Sequence, residues 1–546
     1  MQTPERSARG GGSRRPRARN RRRPGGERGA GPGRIGNNLR FECLRWLRWE
    51  AWAVLLETGS TCWRRETSAR AALIVDMAEY FDAAMAAMRR AKHTVHLLNW
   101  AFEPQTLFHP QPGCTGPEDD RIANFLKRLS KDNPRLDVRI LCWQSALPVA
   151  ATQNWFPLAD RKTFAGSAVK FVLDGKLPMG ASHHQKAIIV DDAIAFCGGG
   201  DIGPDRWDTH HHLDDDPRRE KTKHAHGNAK KDFDSRHEVM GLVEGAPAKA
   251  LGALFRERWA RCTGKTLTEP PKVRPAWPSR VKPQFNAVEV GLSRTHGAWK
   301  DHPEVREVER LHLESIGQAR RCIYMENQYF TSPLIAAALA RRLQERDGPE
   351  VVLIGTEHSP SYFDQATMDR TRVKFIESLN RADKHSRFRA YSPVTTLGRI
   401  IIVHAKLTII DDRLLRIGSA NINNRSMGLD TECDLSFEAA GRAGTGNRAE
   451  IARLRTRLLA HWLGCDDAIV DTALRKAGGV GAGLEALRNA GYARLRPIEL
   501  PPVKGLAEVI SAYHLGDPFS PADGWRPWRR KVQSESAARR GRDAMK

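Results

Sequence analysis

The sequence offers little from which to build a disulfide or zinc-ribbon fold. Its nine cysteines (43, 62, 114, 142, 197, 262, 322, 433 and 465) are odd in number and scattered, with no C-x-x-C pair. Neither framework is indicated, and a reducing compartment suits such thiols. No apolar run reaches the length of a membrane span. The nearest, from Leu44 to Leu56, is broken by Arg45, Arg48 and Glu50, and reads as an amphipathic or packing helix able to touch a membrane interface. A secretory leader is not evident, because the basic head adjoins no clean apolar region with a cleavage site; another export route stays open. Acidic residues are in deficit, 64 against 88 basic, for a net charge of +24. Yet no zinc finger, helix-turn-helix or aromatic-interleaved RNA motif accompanies that charge, so nucleic acid is not the expected partner.

What is present is enough to fold. A chain of 546 residues exceeds one typical core, so two domains are expected, and 40% hydrophobic residues with 14 Trp can fill them. Residues 1–40 hold twelve Arg and two Glu, +10 of the total, leaving +14 for the rest. This head cannot bury enough apolar surface to fold alone. It reads as a solvated leader, or a start codon placed too early, ahead of a tether for anionic surfaces.

The informative feature is an octet that occurs twice. His184-Gln-Lys186-Ala-Ile-Ile-Val-Asp191 returns as His404-Ala-Lys406-Leu-Thr-Ile-Ile-Asp411, at an offset of 220. Each copy has a small-residue turn downstream, Gly198-Gly199-Gly200-Asp201 and Gly418-Ser419-Ala420-Asn421. The repeat extends upstream: the segment at Asn99 matches that at Asn327 (offset 228), and Ile122, Leu126 and Val138 match Ile335, Leu339 and Val351 (offset 213). Landmarks in one order predict two copies of an α/β unit, at about 66–268 and 280–520. A proline-rich connector (269–279) joins them, 1–65 is a basic extension, and 521–546 is a basic, frayed tail. Thr209–Asp234, rich in His, Lys and Asp, reads as an insertion loop.

Each octet reads as a strand entering a buried apolar run. Side chains two apart share a face, so His184 projects beside Lys186 and His404 beside Lys406. Two such faces brought together give two imidazoles and two ammonium groups. The lysines can hold phosphodiester oxygens as charge builds. One imidazole can attack phosphorus while the other protonates the leaving alkoxide and then activates water or an alcohol. Lysines supply the charge a cation otherwise would, so no metal or other cofactor is expected. Asp191 and Asp411 fall on the opposite face at the far strand end and read as structural anchors. The turns at Gly198, Gly199, Gly418 and Ser419 would bring backbone close to the phosphate, with Ser419 and Asn421 as donors. His210, His211 and His212, with His224 and His226, fit no standard metal spacing and read as a solvated loop.

On these residues the chain resembles the phospholipase D superfamily, with its doubled H-x-K-x-x-x-x-D and G-G/S-x-N/D turns. The resemblance implies two similar α/β sandwich domains related by a pseudo-twofold, the active site between them, and a phosphohistidine intermediate. It carries catalytic roles to His184, Lys186, His404, Lys406 and Asn421. It also implies a carboxylate on each histidine's other nitrogen: Glu432 (with Asp430 as substitute) for the second histidine, and Glu238, in Arg236-His237-Glu238-Val239, for His184. G-G-x-D followed by Arg206-Trp207-Asp208, and Glu326-Asn327-Gln328-Tyr329-Phe330, resemble lipid-cleaving members. The implied activity is cleavage of a glycerophospholipid to phosphatidate and headgroup alcohol, with transfer to added alcohols. His184 would be nucleophile and His404 general acid, in a monomer working in the cytoplasm or at a membrane surface. A cardiolipin synthase-like phosphatidyltransferase, a nuclease of the same superfamily and a catalytically idle membrane adaptor are the rival readings.

Overall fold

The structure is a computed structural model. It describes residues 54–543 apart from 114, 146–156, 220, 224–229, 233–234, 360–364, 440–443, 501–512, 515 and 524–526. The Arg-rich head, most of the Leu44–Leu56 segment, His224 and His226 lie outside the described residues.

The described chain is organised around one sixteen-stranded mixed sheet. In the first half, strand order across the sheet is β1 (Arg64–Val75), β7 (Val239–Gly245), β6 (Ile194–Gly198), β5 (Ala187–Val190), β2 (Thr94–Asn99), β3 (Asp137–Trp143) and β4 (Lys170–Asp174). The second half repeats it: β8 (Phe285–His296), β14 (Glu432–Glu438), β13 (Leu414–Gly418), β12 (Lys406–Ile410), β9 (Cys322–Asn327), β10 (Glu350–Ile354) and β11 (Phe388–Pro393). Strands β1 and β8 pair antiparallel at the centre, Arg64 opposite Leu292 and Ala71 opposite Phe285. The seam therefore relates the halves by a pseudo-twofold, as the offsets of the sequence repeat require.

Both faces of the sheet are covered, which is why the motif strands are buried at every position rather than at alternate ones. Along β5, Ala187 and Ile189 enter the core layer shared by both halves, while Ile188 and Val190 enter a first-half layer. The shared layer takes side chains from the helices Ala246–Thr263 and Gly444–Leu463. The opposite face is covered separately in each half, by Met77–Met88 and Ile122–Asp132, and by Glu307–Gln318, Pro333–Gln344 and Arg370–Ala382. Continuity of one core layer across the seam fixes the halves relative to each other.

The two octet aspartates are anchors of the same kind. Asp191 accepts the backbone N–H groups of Lys92, His93 and Thr94 at 2.7–2.8 Å. Asp411 accepts those of Arg320, Arg321 and Cys322 at the same distances. Each has positive φ (54°), as does the residue after it, in a tight turn leading to the next strand.

Two expectations need correction. The C-terminal tail is not frayed: Pro527–Asp543 is a helix packed on Pro333–Gln344. Ala537 is buried, and Gly541 lies directly on the carbonyl of Leu334, so small residues one turn apart admit the close approach. Nor is the Thr209–Asp234 segment wholly a loop, because Lys221–Lys223 pairs antiparallel with Lys230–Asp232. The seven cysteines among the described residues are free thiols, as their spacing leads one to expect.

Asp191→Ala leaves three backbone donors without their acceptor and is expected to cost about 3 kcal/mol. Asp411→Ala should cost a similar amount. Urea unfolding measures it, and a loss below about 0.5 kcal/mol, typical of neutral surface changes, would contradict the anchoring role.

Candidate active site

The residues just before β5 and β12 do not stay within their own half. His184 N–H donates to the carbonyl of Thr431, and Thr431 N–H donates to that of Ser182, so the first motif runs beside the second half's Asp430–Glu432. By the same symmetry Ile402–Val403 pairs parallel with Arg236–His237, and His404 N–H donates to the carbonyl of His237. Each motif is thus laid against the carboxylate-bearing segment of the other half.

The side chains follow the backbone. Nδ1 of His184 lies 3.0 Å from Oε2 and 3.1 Å from Oε1 of Glu432, and Nδ1 of His404 lies 2.5 Å from Oε2 of Glu238. The pairing expected within each half, Glu238 with His184 and Glu432 with His404, is therefore wrong. Both carboxylates sit at the site, with partners exchanged, because the parallel pairing carries each motif across the pseudo-twofold. With Nδ1 committed to a carboxylate, Nε2 is the nitrogen each ring presents for chemistry.

The lysines lie as the two-residue spacing predicts. Lys186 Nζ donates to the carbonyl of His184 (2.7 Å) and stands 3.5 Å from Asp201, while Lys406 Nζ donates to the carbonyl of His404 and to Gln328 Oε1 (3.3 Å). Gly199 places the halves against one another: a methyl group there would strike Glu238, Lys406 and the carbonyl of His404. A first-half turn and a second-half motif therefore share one cleft.

The other turn residues depart from expectation. Gly198 and Gly418 do not offer backbone to a ligand; they end β6 and β13, where a side chain would strike Met240 or Asp434 on the neighbouring strand. Ser419 donates its hydroxyl to Glu432 Oε2 (2.5 Å), so that proton is spent on the carboxylate rather than on a phosphate. Asn421 is buried beside Ser426, whose Oγ accepts its backbone N–H, and its amide oxygen has no partner. Asp191 and Asp411 lie at the far strand ends, away from the cleft.

Sequence reasoning gave no role to Ser426, Gln328 or Arg206. Ser426 donates to Glu432 Oε1 (2.6 Å), Gln328 accepts from Lys406, and Arg206 is close enough to depress the proton affinity of His404 and Lys406. Arg206 and Gln328 lie in the two segments that resemble lipid-cleaving members, whereas Ser426 lies in Asn423-Asn424-Arg425-Ser426, just downstream of the second turn. Trp100 stacks on Trp143 and faces His184 edge-on, with ring centroids 6.5 Å apart.

Burial dominates the electrostatics. It pushes both imidazoles well below their ordinary range, helped at His184 by Lys186 and Lys406, and at His404 by Lys406 and Arg206. Burial also holds Lys186 down, opposed by Asp201, and brings Lys406 to about 7, opposed by Glu238. The carboxylates move the other way. Burial raises Glu238 to about 7 against Lys406 and Arg206, and raises Glu432 against Lys186 and the Ser419 and Ser426 hydroxyls. Two neutral imidazoles and two crowded lysines make a pocket suited to a compact anion.

Residues 312–447 match the family profile described as Cardiolipin synthase, PLD-like domain. The chain is 24% identical to Phospholipase D A of Dictyostelium discoideum over 428 residues, covering 67% of this chain and 32% of that protein. It is 22% identical to the Cardiolipin synthase of Geobacillus kaustophilus (strain HTA426) over 370 residues, covering 67% of this chain and 62% of that protein. A solved phosphatidylserine synthase from Haemophilus influenzae Rd KW20 superposes with a TM-score of 0.48 at 13% identity, covering 81% of this chain and 91% of that chain. The chain thus spans about a third of the length of the first relative and under two thirds of the second.

The depressed imidazoles predict NMR titration midpoints below the ordinary range of a free imidazole for both His184 and His404. Removing an adjacent carboxylate lowers a midpoint further. Glu432→Gln should therefore move His184 and spare His404, and Glu238→Gln the reverse. A response confined to the histidine of the same half would refute the crossed pairing.

Proposed function

We propose, from the premise that the chain belongs to the phospholipase D superfamily, that it is a phosphodiesterase cleaving the distal ester of glycerophospholipids. In the reaction Nε2 of His184 attacks phosphorus, the bond from phosphorus to the headgroup oxygen breaks, and His404 delivers a proton to that oxygen. His404 then takes a proton from water, whose oxygen displaces His184 and releases phosphatidate. An alcohol in place of water gives a phosphatidyl alcohol. Lys186 and Lys406 hold the non-bridging oxygens through both steps.

The observation that carries this reading is the pair of crossed imidazole–carboxylate contacts, with both lysines beside them. Phosphoryl transfer through a covalent intermediate needs a base-like imidazole on one side of phosphorus and an acid on the other. The roles follow from a difference between the carboxylates. Glu432 is held by two serine hydroxyls, whereas Oε1 of Glu238 is buried without a hydrogen-bond partner. A firmly held carboxylate fixes the tautomer of a nucleophile. One free to gain charge as its imidazole is protonated suits the acid. No helix among the described residues is long and apolar enough to cross a membrane, and a peripheral encounter with the lipid surface fits the proposal.

A second reading, transfer of a phosphatidyl group to another phospholipid as in cardiolipin synthesis, is favoured by the matched family description. Purified protein is to be incubated with phosphatidylcholine and ethanol, without added divalent metal. Choline and phosphatidylethanol are the expected products; cardiolipin made from phosphatidylglycerol would favour the second reading, and nicked DNA would sink both. His184→Ala and His404→Asn should each abolish turnover with the fold intact, and near-normal rates in either would overturn the shared site.

The roles separate by leaving group. Glu238→Gln is expected to lower the rate on order of 10³–10⁴-fold for an alkyl headgroup, by analogy with the orienting aspartate of a catalytic triad. With a nitrophenyl ester, whose leaving group needs no proton, the loss should shrink sharply. Glu432→Gln should impair both substrates alike, and the opposite pattern would exchange the two histidines' roles.

A further inference from the structure

Behind the catalytic cleft lies a second histidine cluster that the phosphodiesterase chemistry does not use. We propose that Asp76, His212, His237 and His461 form a zinc site that ties the two halves together. Their ligand atoms, one from each residue, all lie within 4.8 Å of one another. Nε2 of His212 is 3.1 Å from Nε2 of His461 and 3.7 Å from Oδ2 of Asp76, and Nε2 of His461 is 3.9 Å from that same oxygen. Zinc bonds of about 2.0–2.1 Å in a tetrahedron put ligand atoms about 3.3–3.4 Å apart, so these separations need only small adjustments.

The second observation is the state of the polar atoms. Asp76 Oδ2, on a fully buried side chain, has no hydrogen-bond partner, and His237 Nδ1, equally buried, stands 3.0 Å from the other oxygen of Asp76. The opposite ring nitrogens are engaged in the manner a metal-bound imidazole requires. His212 places Nδ1 2.9 Å from Asp208 Oδ2, and His237 places Nε2 3.0 Å from Glu326 Oε2. With each carboxylate on one ring nitrogen, the other nitrogen faces a member of the cluster, His461 Nε2 for His212 at 3.1 Å and Asp76 Oδ1 for His237 at 3.0 Å. Asp208 belongs to the R-W-D segment and Glu326 to E-N-Q-Y-F, whose acidic members the catalytic chemistry leaves unexplained. Three imidazoles and a carboxylate suit zinc better than calcium or magnesium, which favour all-oxygen shells.

The placement gives the site a consequence. Asp76, His212 and His237 come from the first half and His461 from the second half's helix Gly444–Leu463, so one ion would cross-link them. The other oxygen of Asp76 accepts the backbone N–H of Glu238 at 3.2 Å. An ion on Oδ2 would therefore stiffen the residue that orients His404. His210 and His211, on the exposed side of the same loop, point to no shared centre; only His212 of the three joins the cluster.

The test uses untagged, full-length protein stripped by a chelator, reloaded with zinc and desalted. One zinc per chain is expected by mass spectrometry, and cobalt in its place should show a tetrahedral visible spectrum without a thiolate charge-transfer band. His461→Ala should lose the stoichiometric metal, Asp208→Asn should weaken zinc binding roughly 10–100-fold, and a His210→Ala/His211→Ala double variant should keep it. A folded wild-type chain that retains no zinc overturns the proposal. So does retention by a folded His461→Ala variant, or loss in the surface double variant. Should His461→Ala fail to fold, the wild-type cobalt spectrum decides: octahedral or thiolate-ligated cobalt overturns the site. None of these readouts depends on catalysis, so failure here leaves the phosphodiesterase reading standing, and failure of that reading leaves this one testable.

Discussion

Neither half of this molecule can orient its own histidine. The carboxylate on His184 comes from β14 of the second half, and the carboxylate on His404 from the segment before β7 of the first. Everything that keeps the halves in register therefore serves the site: the antiparallel seam of β1 and β8, the core layer common to both, and the short parallel pairing of Ile402–Val403 with Arg236–His237. A half folded alone would have an imidazole free to take either tautomer and a buried carboxylate without its partner. Duplication with exchange makes assembly of the site a condition of the fold.

Much of this was legible in the residues. The octets, their offsets and the downstream turns place two α/β copies in order, and the period of a strand puts each lysine on its histidine's face. The far-side position of Asp191 and Asp411 marks them as anchors, and each caps three backbone donors. What one-dimensional spacing cannot carry is which copy of a symmetric pair a residue faces. Glu238 and Glu432 occupy equivalent places in the two halves, so a partner in the same half and one in the other look alike until the backbone pairing is known. The glycines misled for a related reason. A missing side chain can admit a ligand or a neighbouring strand, and at Gly198 and Gly418 it admits the strand. The tail helix escaped notice because its polar composition hides Ala537 and Gly541, the two small residues on its packed face.

The pseudo-twofold is broken at the two carboxylates, where the proposed reaction would need it broken. Ser419 stands where the first half has Gly199. Its hydroxyl, with that of Ser426, supports Glu432, while Gly199 gives Glu238 only room. One carboxylate is saturated with donors and the other is left wanting. A symmetric site would offer two equal imidazoles and no reason for either to begin as nucleophile. Two serine side chains are enough to distinguish them, because in a buried cleft each hydrogen bond to a carboxylate bears directly on its readiness to hold charge.

The same burial explains why charged groups are tolerated here at all. Lys186, Lys406, Arg206, Glu238, Glu432 and Asp201 are gathered where water is largely excluded, and isolated charges in such a place are costly. Burial lowers the proton affinity of Lys406 and raises that of Glu238, each to about 7, so the empty site favours less fixed charge than its residues could carry. A phosphodiester anion entering the cleft shifts that balance: it favours the charged lysine and a protonated His404. Glu238, once facing an imidazolium, is in turn better kept ionised. On the proposed reaction the stabilisation this releases would grow as negative charge accumulates on the phosphoryl oxygens, and so would be larger in the transition state than with the substrate merely bound. Desolvation that weakens the empty site is thus the same physical term that would make the occupied one reactive.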